Sequence, residues 1–302
     1  MTILVTGHRG LLGSACVRHF SKEHKVVTYN GDLTYAPMFY EFMRSARPEA
    51  IIHCAAKVGG VKSNRDRPVD FLLANTKMQN VVMQAAHEFY IEKLVFIATS
   101  CLYPKNALLP VSEESLLTGP FEPDVQAYAV AKLAGYELCK AYNRQFSRNF
   151  MTVAPCNLYG INDNYGPSAH VIPALINKVY EANKTKSPVV VWGDGSAIRE
   201  FLFADDCADA IDHVFKFWNK PDIINIGSGC GTNIRTLIET IKKVSGLNVE
   251  VKWDSSQPTG IYRKTFNTNK IQSLGWGPLH NLEEGLKKTW DDFIHTTNPR
   301  FS

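Results

Sequence analysis

Apolar positions along this chain recur with two different periods. Short runs rich in β-branched and aliphatic residues stand at Thr2-Ile-Leu-Val-Thr6, His24-Lys-Val-Val-Thr-Tyr29, Ala50-Ile-Ile-His-Cys-Ala-Ala56, Lys93-Leu-Val-Phe-Ile-Ala98 and Met151-Thr-Val-Ala-Pro155. Each reads as a strand, and several are apolar throughout, as strands covered on both faces of a parallel sheet are. Between them the spacing lengthens to that of a helix. Leu12, Cys16, Val17 and Phe20 mark one helix. Phe71, Leu73, Ala74, Met78, Val81, Val82 and Ala85 mark a long one over 70–90, and a third runs over 128–144. Strand alternating with helix predicts an α/β fold, a Rossmann-type doubly wound parallel sheet.

Beyond Pro155 the rhythm weakens. Helices are predicted at 171–182, opened by His170, at 207–217, capped by Ala204-Asp-Asp206, and at 237–244 and 282–293. Strands are predicted at 189–192, 199–203, 223–227 and 249–253. No repeat, low-complexity tract or clean linker divides the chain. We therefore expect residues 1–160 to form a dinucleotide-binding domain, joined by a returning segment at about 198–227. Residues 161–302 would form a smaller C-terminal α/β substrate lobe.

Composition narrows the function classes. The 302 residues are 45% hydrophobic and 21% charged, the balance of an ordinary soluble globule. The net charge is +4, without a dense Lys/Arg run, so no nucleic-acid partner is expected. No apolar run approaches the ~18 residues of a membrane span. The N-terminus enters a strand at once and has no signal-peptide pattern. Seven cysteines are scattered without Cys-x-x-Cys or metal-ligand spacing, which suggests free thiols in a cytoplasmic protein and no metal site.

Three stretches carry chemistry. The first is Gly7-His8-Arg9-Gly10-Leu11-Leu12-Gly13, lying between a strand and a helix. In that setting glycines permit a tight turn, close approach of a pyrophosphate and close helix packing, and the helix N-terminus offers free N–H groups. The second predicted strand leads into Tyr29-Asn30-Gly31 and not into the carboxylate that would select NAD; Asp32 comes slightly late. With Arg9 in the turn, this favours a 2′-phosphate, hence NADP(H). Asp32-Leu33 would hold the adenine side by backbone contacts. The second stretch, Lys57-Val-Gly-Gly-Val-Lys-Ser-Asn64, reads as a flexible loop at a strand end. His53 reads as a core histidine, and Asn75 as a surface position or a contact at the nicotinamide end. The third runs from Thr99-Ser100-Cys101, at another strand end, to Tyr128-Ala-Val-Ala-Lys132. In a helix Tyr128 and Lys132 project together. The lysine would lower the tyrosine pKa and make it a proton donor and acceptor near neutrality.

These motifs together resemble the extended short-chain dehydrogenase/reductases that act on nucleotide sugars. Further stretches are similar to the branch that epimerises GDP-4-keto-6-deoxy-D-mannose at C3 and C5 and reduces it at C4, giving GDP-L-fucose: Ala55-Ala-Lys-Val-Gly-Gly60, Ser100-Cys-Leu-Tyr-Pro-Lys105, Asn157-Leu-Tyr-Gly160, His170-Val-Ile-Pro-Ala-Leu175, and Val191-Trp-Gly193 with Arg199-Glu-Phe201. The resemblance implies Tyr128, Lys132, Thr99, Cys101 and His170 as catalytic residues, with Cys101 as base and His170 as acid. It adds Asn157, Leu158, His170 and Lys132 to the cofactor contacts. It implies Lys178, Trp192, Arg199 and Lys264 as contacts to the GDP-sugar, and a homodimer formed through two long helices per subunit. Three departures stand out: Thr99 where many relatives have Ser, Lys178 where some have Arg, and Gln257-Pro-Thr-Gly260 in place of Lys-Pro-Asp-Gly. Alternatives are the same chemistry on another GDP-keto sugar, such as a keto-heptose or the colitose precursor, and a non-catalytic dinucleotide-binding scaffold. A 4,6-dehydratase would need an acidic pair where Ser100-Cys101 stand.

Overall fold

In the computed structural model, which describes residues 1–256 and 262–295, the N-terminal half alternates as expected. β1 (Thr2–Thr6) leads to α1 (Leu11–Phe20), β2 (Lys25–Thr28) to α2 (Ala36–Ala46), and β3 (Ala50–His53) to α3 (Val61–Asp66) and α4 (Pro68–Glu88). β4 (Lys93–Ile97) is followed by a long connection, then α5 (Gln126–Phe146) and β5 (Asn149–Pro155). The second half contributes β6 (Asn157–Tyr159), α6 (Val171–Thr185), β7 (Val189–Trp192), β8 (Ile198–Phe203), α7 (Ala204–Phe217), β9 (Ile224–Ile226), β10 (Gly231–Asn233), α8 (Ile234–Ser245), β11 (Val251–Asp254), β12 (Arg263–Lys264), α9 (Asn269–Ser273) and α10 (Leu282–His295).

Six parallel strands form the main sheet in the order β2-β1-β3-β4-β5-β9. The order reverses beside β1, and such a reversal opens a crevice at the strand C-terminal ends. α4 packs along α5, and α1 along α7, so that the sheet is covered on both sides. Ile3, Leu4, Val5, Ile51, Ile52, Val95 and Phe96 have no exposed surface; burying each such side chain contributes about 1.5–3 kcal/mol. Gly135 lets α5 approach β4 closely, since a Cβ there would run into the Phe96 ring. Gln79 ties α4 to α5 by donating to the Ala131 carbonyl at 2.7 Å. On the other face Arg18 of α1 donates twice, at 2.9 Å, to the Asp205 carboxylate of α7.

A second apolar cluster lies under α6, α8 and α10, with Ile176, Val179, Leu237, Ile241 and Leu286 at its centre. Its strands form two small sheets: β8 between β10 and β12, with β6 also on β8, and β7 beside β11. The return to the main sheet therefore begins at α7. β8, inside the segment expected to return, pairs within the smaller sheet.

Several local expectations change. β3 stops at His53, and the predicted flexible loop closes into α3 from Val61 onward. Asp205 and Asp206 sit inside the first turn of α7 and do not cap it. Their carboxylates reach outward instead, Asp205 to Arg18 and Asp206 to the His280 amide and ring. α2 was not foreseen, although Pro37 in its first turn and the buried Phe39 and Met43 four apart are ordinary helix signals. Gln257-Pro-Thr-Gly260 lies outside the described residues.

Candidate active site

The glycine turn is shaped for close approach. Gly7 has φ +69°, and a Cβ on it would lie 2.6 Å from the Ala55 amide nitrogen at the end of β3. A Cβ on Gly13 would overlap the Gly7 carbonyl oxygen. α1 starts at Leu11 with Gly10 as N-cap, no side-chain cap and no acidic residue in its first turn. The amides of Leu11, Leu12 and Gly13 thus have no intrahelical acceptor. The Nδ1 atom of His8 is buried without a partner, and burial, then neighbouring Arg9, lowers its pKa. Arg9 donates to Asn30 Oδ1 at 2.8 Å across the exit of β2. This is a cradle and an anion-binding helix end at the crevice where the strand order reverses, and it fits a dinucleotide pyrophosphate. Asp32 turns on itself, accepting from the Thr34 amide at 2.8 Å, which lowers its pKa; Leu33 is buried in the core.

At the end of β4 the chain delivers Thr99 and Cys101. Thr99 caps a short 3₁₀ turn and accepts from the Cys101 amide at 3.2 Å. Tyr128, near the start of α5, hydrogen-bonds to the Thr99 side chain and lies beside Cys101. Phe71 of α4 meets the Tyr128 ring edge to face at 6.2 Å. One turn along α5, Lys132 is 2% exposed; its Nζ donates to the Ile97 carbonyl at 2.8 Å and lies 4.7 Å from the centre of the Phe96 ring.

The expected lowering of the Tyr128 pKa by Lys132 is not found. Part of the Tyr128 ring reaches solvent, but protein surrounds its hydroxyl. Burial, then the neighbouring Cys101, push the phenol well above its usual range, and the Thr99 hydrogen bond pulls it only partly back. The ammonium faces the Ile97 carbonyl and the Phe96 ring, and desolvation takes its own pKa down to about 8. A buried phenol and a buried ammonium each favour the neutral form.

His170 is the N-cap of α6. The residue is exposed, yet crowding at the imidazole is sufficient for desolvation to lower its pKa. The segment just before it meets the loop after β3, where the Gly60 amide donates to the Ser168 carbonyl at 3.3 Å. Asn75 is not a surface residue: it is buried and brackets that loop. It accepts from the Lys57 amide at 2.9 Å and donates to the Lys57 carbonyl at 3.0 Å. His53 is a core histidine, bonded to Thr6 Oγ1 at 2.7 Å, and burial takes its pKa down to about 3.

The remaining predicted residues fall in the smaller lobe. Asn157 donates to the Glu200 carbonyl at 3.0 Å, and Leu158 packs against the main core. Arg199 and Lys264 are register partners on β8 and β12, and the Arg199 guanidinium donates to the Ile198 carbonyl at 2.8 Å. Burial lowers the Arg199 pKa. Lys178 donates to the Val190 carbonyl at 2.9 Å, and Trp192, two residues further on β7, is 61% exposed.

Phe71, Asn30 and Glu200 are not among the site residues expected from the sequence. Glu200 is buried and accepts from the amides of Gly229, at 2.8 Å, and Phe266, at 2.6 Å, so it joins β8 to the exit of β9. Its position beside Arg199 in a strand was the available signal.

A doubly wound parallel sheet, a glycine cradle at its reversal point and a Tyr/Lys pair behind a strand-end hydroxyl define a dinucleotide-dependent short-chain dehydrogenase/reductase of the extended type. The chain belongs to the NAD dependent epimerase/dehydratase family, whose profile matches residues 3–227. It is 40% identical to the GDP-L-fucose synthase of Sinorhizobium fredii over 97% of this chain and 95% of that protein. It is 36% identical to the GDP-L-colitose synthase of Yersinia pseudotuberculosis over 99% of each chain. A GDP-L-fucose synthetase from Naegleria fowleri, solved bound to NADP, superposes with a TM-score of 0.90 at 29% identity, covering 97% of this chain and 94% of that one.

Proposed function

We propose that the protein converts GDP-4-keto-6-deoxy-D-mannose to GDP-L-fucose by 3,5-epimerisation and NADPH-dependent 4-reduction. One observation carries this reading. Thr99, Cys101 and Tyr128 stand side by side at the end of β4, in a chain 40% identical to a GDP-L-fucose synthase over nearly its whole length.

The cofactor would lie with its pyrophosphate over Gly7, Gly10 and the Leu11–Gly13 amides, its adenosine end toward Arg9, and its nicotinamide end toward Lys132, Asn157, Leu158 and His170. When bound, NADPH supplies the hydride that reduces C4. The protein's own groups do the rest. The hydroxyls of Thr99 and Tyr128 donate to the C4 carbonyl oxygen and stabilise the enolate formed when a neighbouring C–H is broken. That carbonyl acidifies the hydrogens on C3 and C5. Cys101 as thiolate removes each proton from one face, and His170 as imidazolium returns one from the other. The lowered His170 pKa makes its imidazolium the stronger donor. Tyr128 gives its proton to O4 as the alkoxide forms. A phenol held above its usual range remains protonated until then, and the Thr99 side chain is the group that favours the phenolate that results. Arg199 and Lys264 would take the diphosphate between them. Trp192 and Lys178 would flank the GDP.

Incubation with GDP-4-keto-6-deoxy-D-mannose and NADPH, followed by NMR of the product, tests the assignment. The expected sugar is GDP-L-fucose; a product reduced at C4 with C3 and C5 unchanged rejects it. In the Cys101→Ser variant, deuterium exchange at C3 and C5 should be lost while some ketone reduction remains. Equal loss of both activities counts against Cys101 as base.

A homodimer through α4 and α5 extends the proposal. The two helices pack together and leave Val69, Leu73 and Val130 from 39% to 64% exposed on their outer surface, an apolar face that a second copy would cover. Among the described residues no helix is long and apolar enough to cross a membrane. Seven free thiols suit a reducing cytoplasm.

A further inference from the structure

Two thiols meet behind the glycine turn, and neither has a part in the proposed chemistry. Cys16 lies on α1, just past Gly13, with none of its surface exposed. Cys54 follows His53 at the exit of β3 and is partly exposed. Cys54 Sγ donates to Cys16 Sγ at 3.8 Å, joining segments 38 residues apart in the chain. A disulfide holds its sulfurs about 2.05 Å apart, so these two need to close by about 1.8 Å. The Cys16 thiol is pushed well up, first by that hydrogen bond and then by burial, and stays protonated. Both ends of the contact belong to the cofactor cradle. The Cys54–Ala55 peptide is what a Cβ on Gly7 would strike, and the Ala55 amide donates to Thr6 Oγ1, at the end of β1, at 3.3 Å. Cys16 rides on the helix whose first turn offers the Leu11, Leu12 and Gly13 amides.

We propose that Cys16 and Cys54 are an oxidisable pair: a peroxide oxidises Cys54, Cys16 resolves it, and the resulting disulfide distorts the cradle so that the dinucleotide binds less tightly. Formation of the bond is independent of the proposed reaction; its effect on affinity rests on the cofactor reading. The division of roles follows from exposure, since a solute reaches Cys54 and does not reach Cys16. The Cys54 thiolate attacks one peroxide oxygen: an S–O bond forms, the O–O bond breaks and hydroxide leaves. The Cys16 sulfur then attacks the sulfenic sulfur. An S–S bond forms, the S–O bond breaks, and the Cys16 proton departs with that oxygen as water. In sum two thiols are oxidised and one peroxide is reduced to two waters. A third thiol, Cys207 on α7, is buried and near enough for a Cys54 charge to raise its pKa, but the sulfur hydrogen-bonded to Cys54 is that of Cys16. Closing the sulfurs draws α1 and the exit of β3 together. The cradle between them has no slack, because Gly13 already lies so close to the Gly7 carbonyl that a Cβ would overlap it. A close-packed contact of this kind passes the strain on, and the helix amides move off the pyrophosphate.

The test treats the full chain, reduced and then freed of reductant, with hydrogen peroxide. Cysteine peptides are mapped by mass spectrometry, and NADP⁺ affinity is measured by calorimetry, without turnover. The wild type should yield a peptide pair linked through Cys16 and Cys54, and its NADP⁺ affinity should fall at least about fivefold and return with dithiothreitol. In Cys16→Ala the link should be absent and a sulfenic acid at Cys54 should be trapped by dimedone. In Cys54→Ala peroxide should leave the affinity unchanged. The map of the wild type decides the pairing without any variant: no Cys16–Cys54 link, or a link from Cys54 to Cys207 in its place, overturns the proposal. A linked wild type that binds NADP⁺ as tightly as the reduced chain overturns the effect on the cradle. A loss of affinity as large in Cys54→Ala as in the wild type assigns that loss to another thiol, Cys101 included, and overturns it too. A reduced wild type that binds no NADP⁺ overturns the cofactor reading, whereas the linked peptides would still support the thiol pair.

Discussion

Lys132 carries an electrostatic cost that alkaline titration should expose. The residue is 2% exposed, and desolvation brings its pKa from 10.5 to about 8 in the folded chain, with only Cys54 acting to raise it. Below about pH 8 folded and unfolded chains both hold the proton, and this group adds no pH dependence. Between about 8 and 10.5 the unfolded chain still binds the proton that the folded chain has released. The unfolded state then binds more protons, so stability rises with pH, at about 1.4 kcal/mol per pH unit. Over a gap of about two and a half pH units the gain is about 3 kcal/mol. A Lys132→Met substitution removes the charge and fills much of the same volume. It also gives up the hydrogen bond to the Ile97 carbonyl, about 1.5–3 kcal/mol for a charged donor, and the Phe96 ring contact, about 1–2 kcal/mol when desolvated. These losses offset the relieved desolvation near neutrality, so the informative quantity is the difference between the two chains as pH rises. Urea unfolding of the cofactor-free wild type and Lys132→Met at half-unit steps from about pH 7 to 10.5 measures it. The wild type should gain about 3 kcal/mol on the variant across that window; other tyrosines and cysteines titrate in both chains and cancel. A flat difference refutes the buried-ammonium argument, and with it the claim that Lys132 is desolvated behind Tyr128.

Other expectations follow from the same geometry. Gly13→Ala puts a Cβ into the Gly7 carbonyl, which is backbone and cannot rotate away; thermal unfolding should show a loss of about 1–3 kcal/mol, and NADP⁺ affinity should fall with it. Tyr128→Phe should lower ketone reduction at least about a hundredfold with NADP⁺ affinity unchanged; a wild-type rate would remove Tyr128 as proton donor. His170→Asn should leave C4 reduction of a pre-epimerised sugar in place but stop protonation from its face, read as retained configuration by NMR. Leu73→Arg on α4 should convert a dimer to monomers in sedimentation, and an unchanged sedimentation coefficient would send the interface elsewhere.

What the sequence determined by itself was whatever depends on neighbours along the chain. Strand periodicity, the glycine spacing and the i, i+4 placement of Tyr128 and Lys132 are local, and the doubly wound sheet, the glycine turn and the Tyr/Lys pair were legible from them; the other candidate residues came from the family resemblance. α2 is equally local, with Pro37 in its first turn. Tertiary structure alone decided the electrostatics. Lys132 follows Tyr128 by one turn, yet its ammonium is captured by Ile97 and Phe96 of β4, and the phenol answers to Thr99 and Cys101. Burial set both pKa values, and burial is a property of the packed sheet that no spacing encodes. The same holds for Asn75, Glu200 and Asn30. Each is an unremarkable polar letter in the sequence, and each becomes specific only when folding brings to it a backbone amide or a guanidinium from a distant segment.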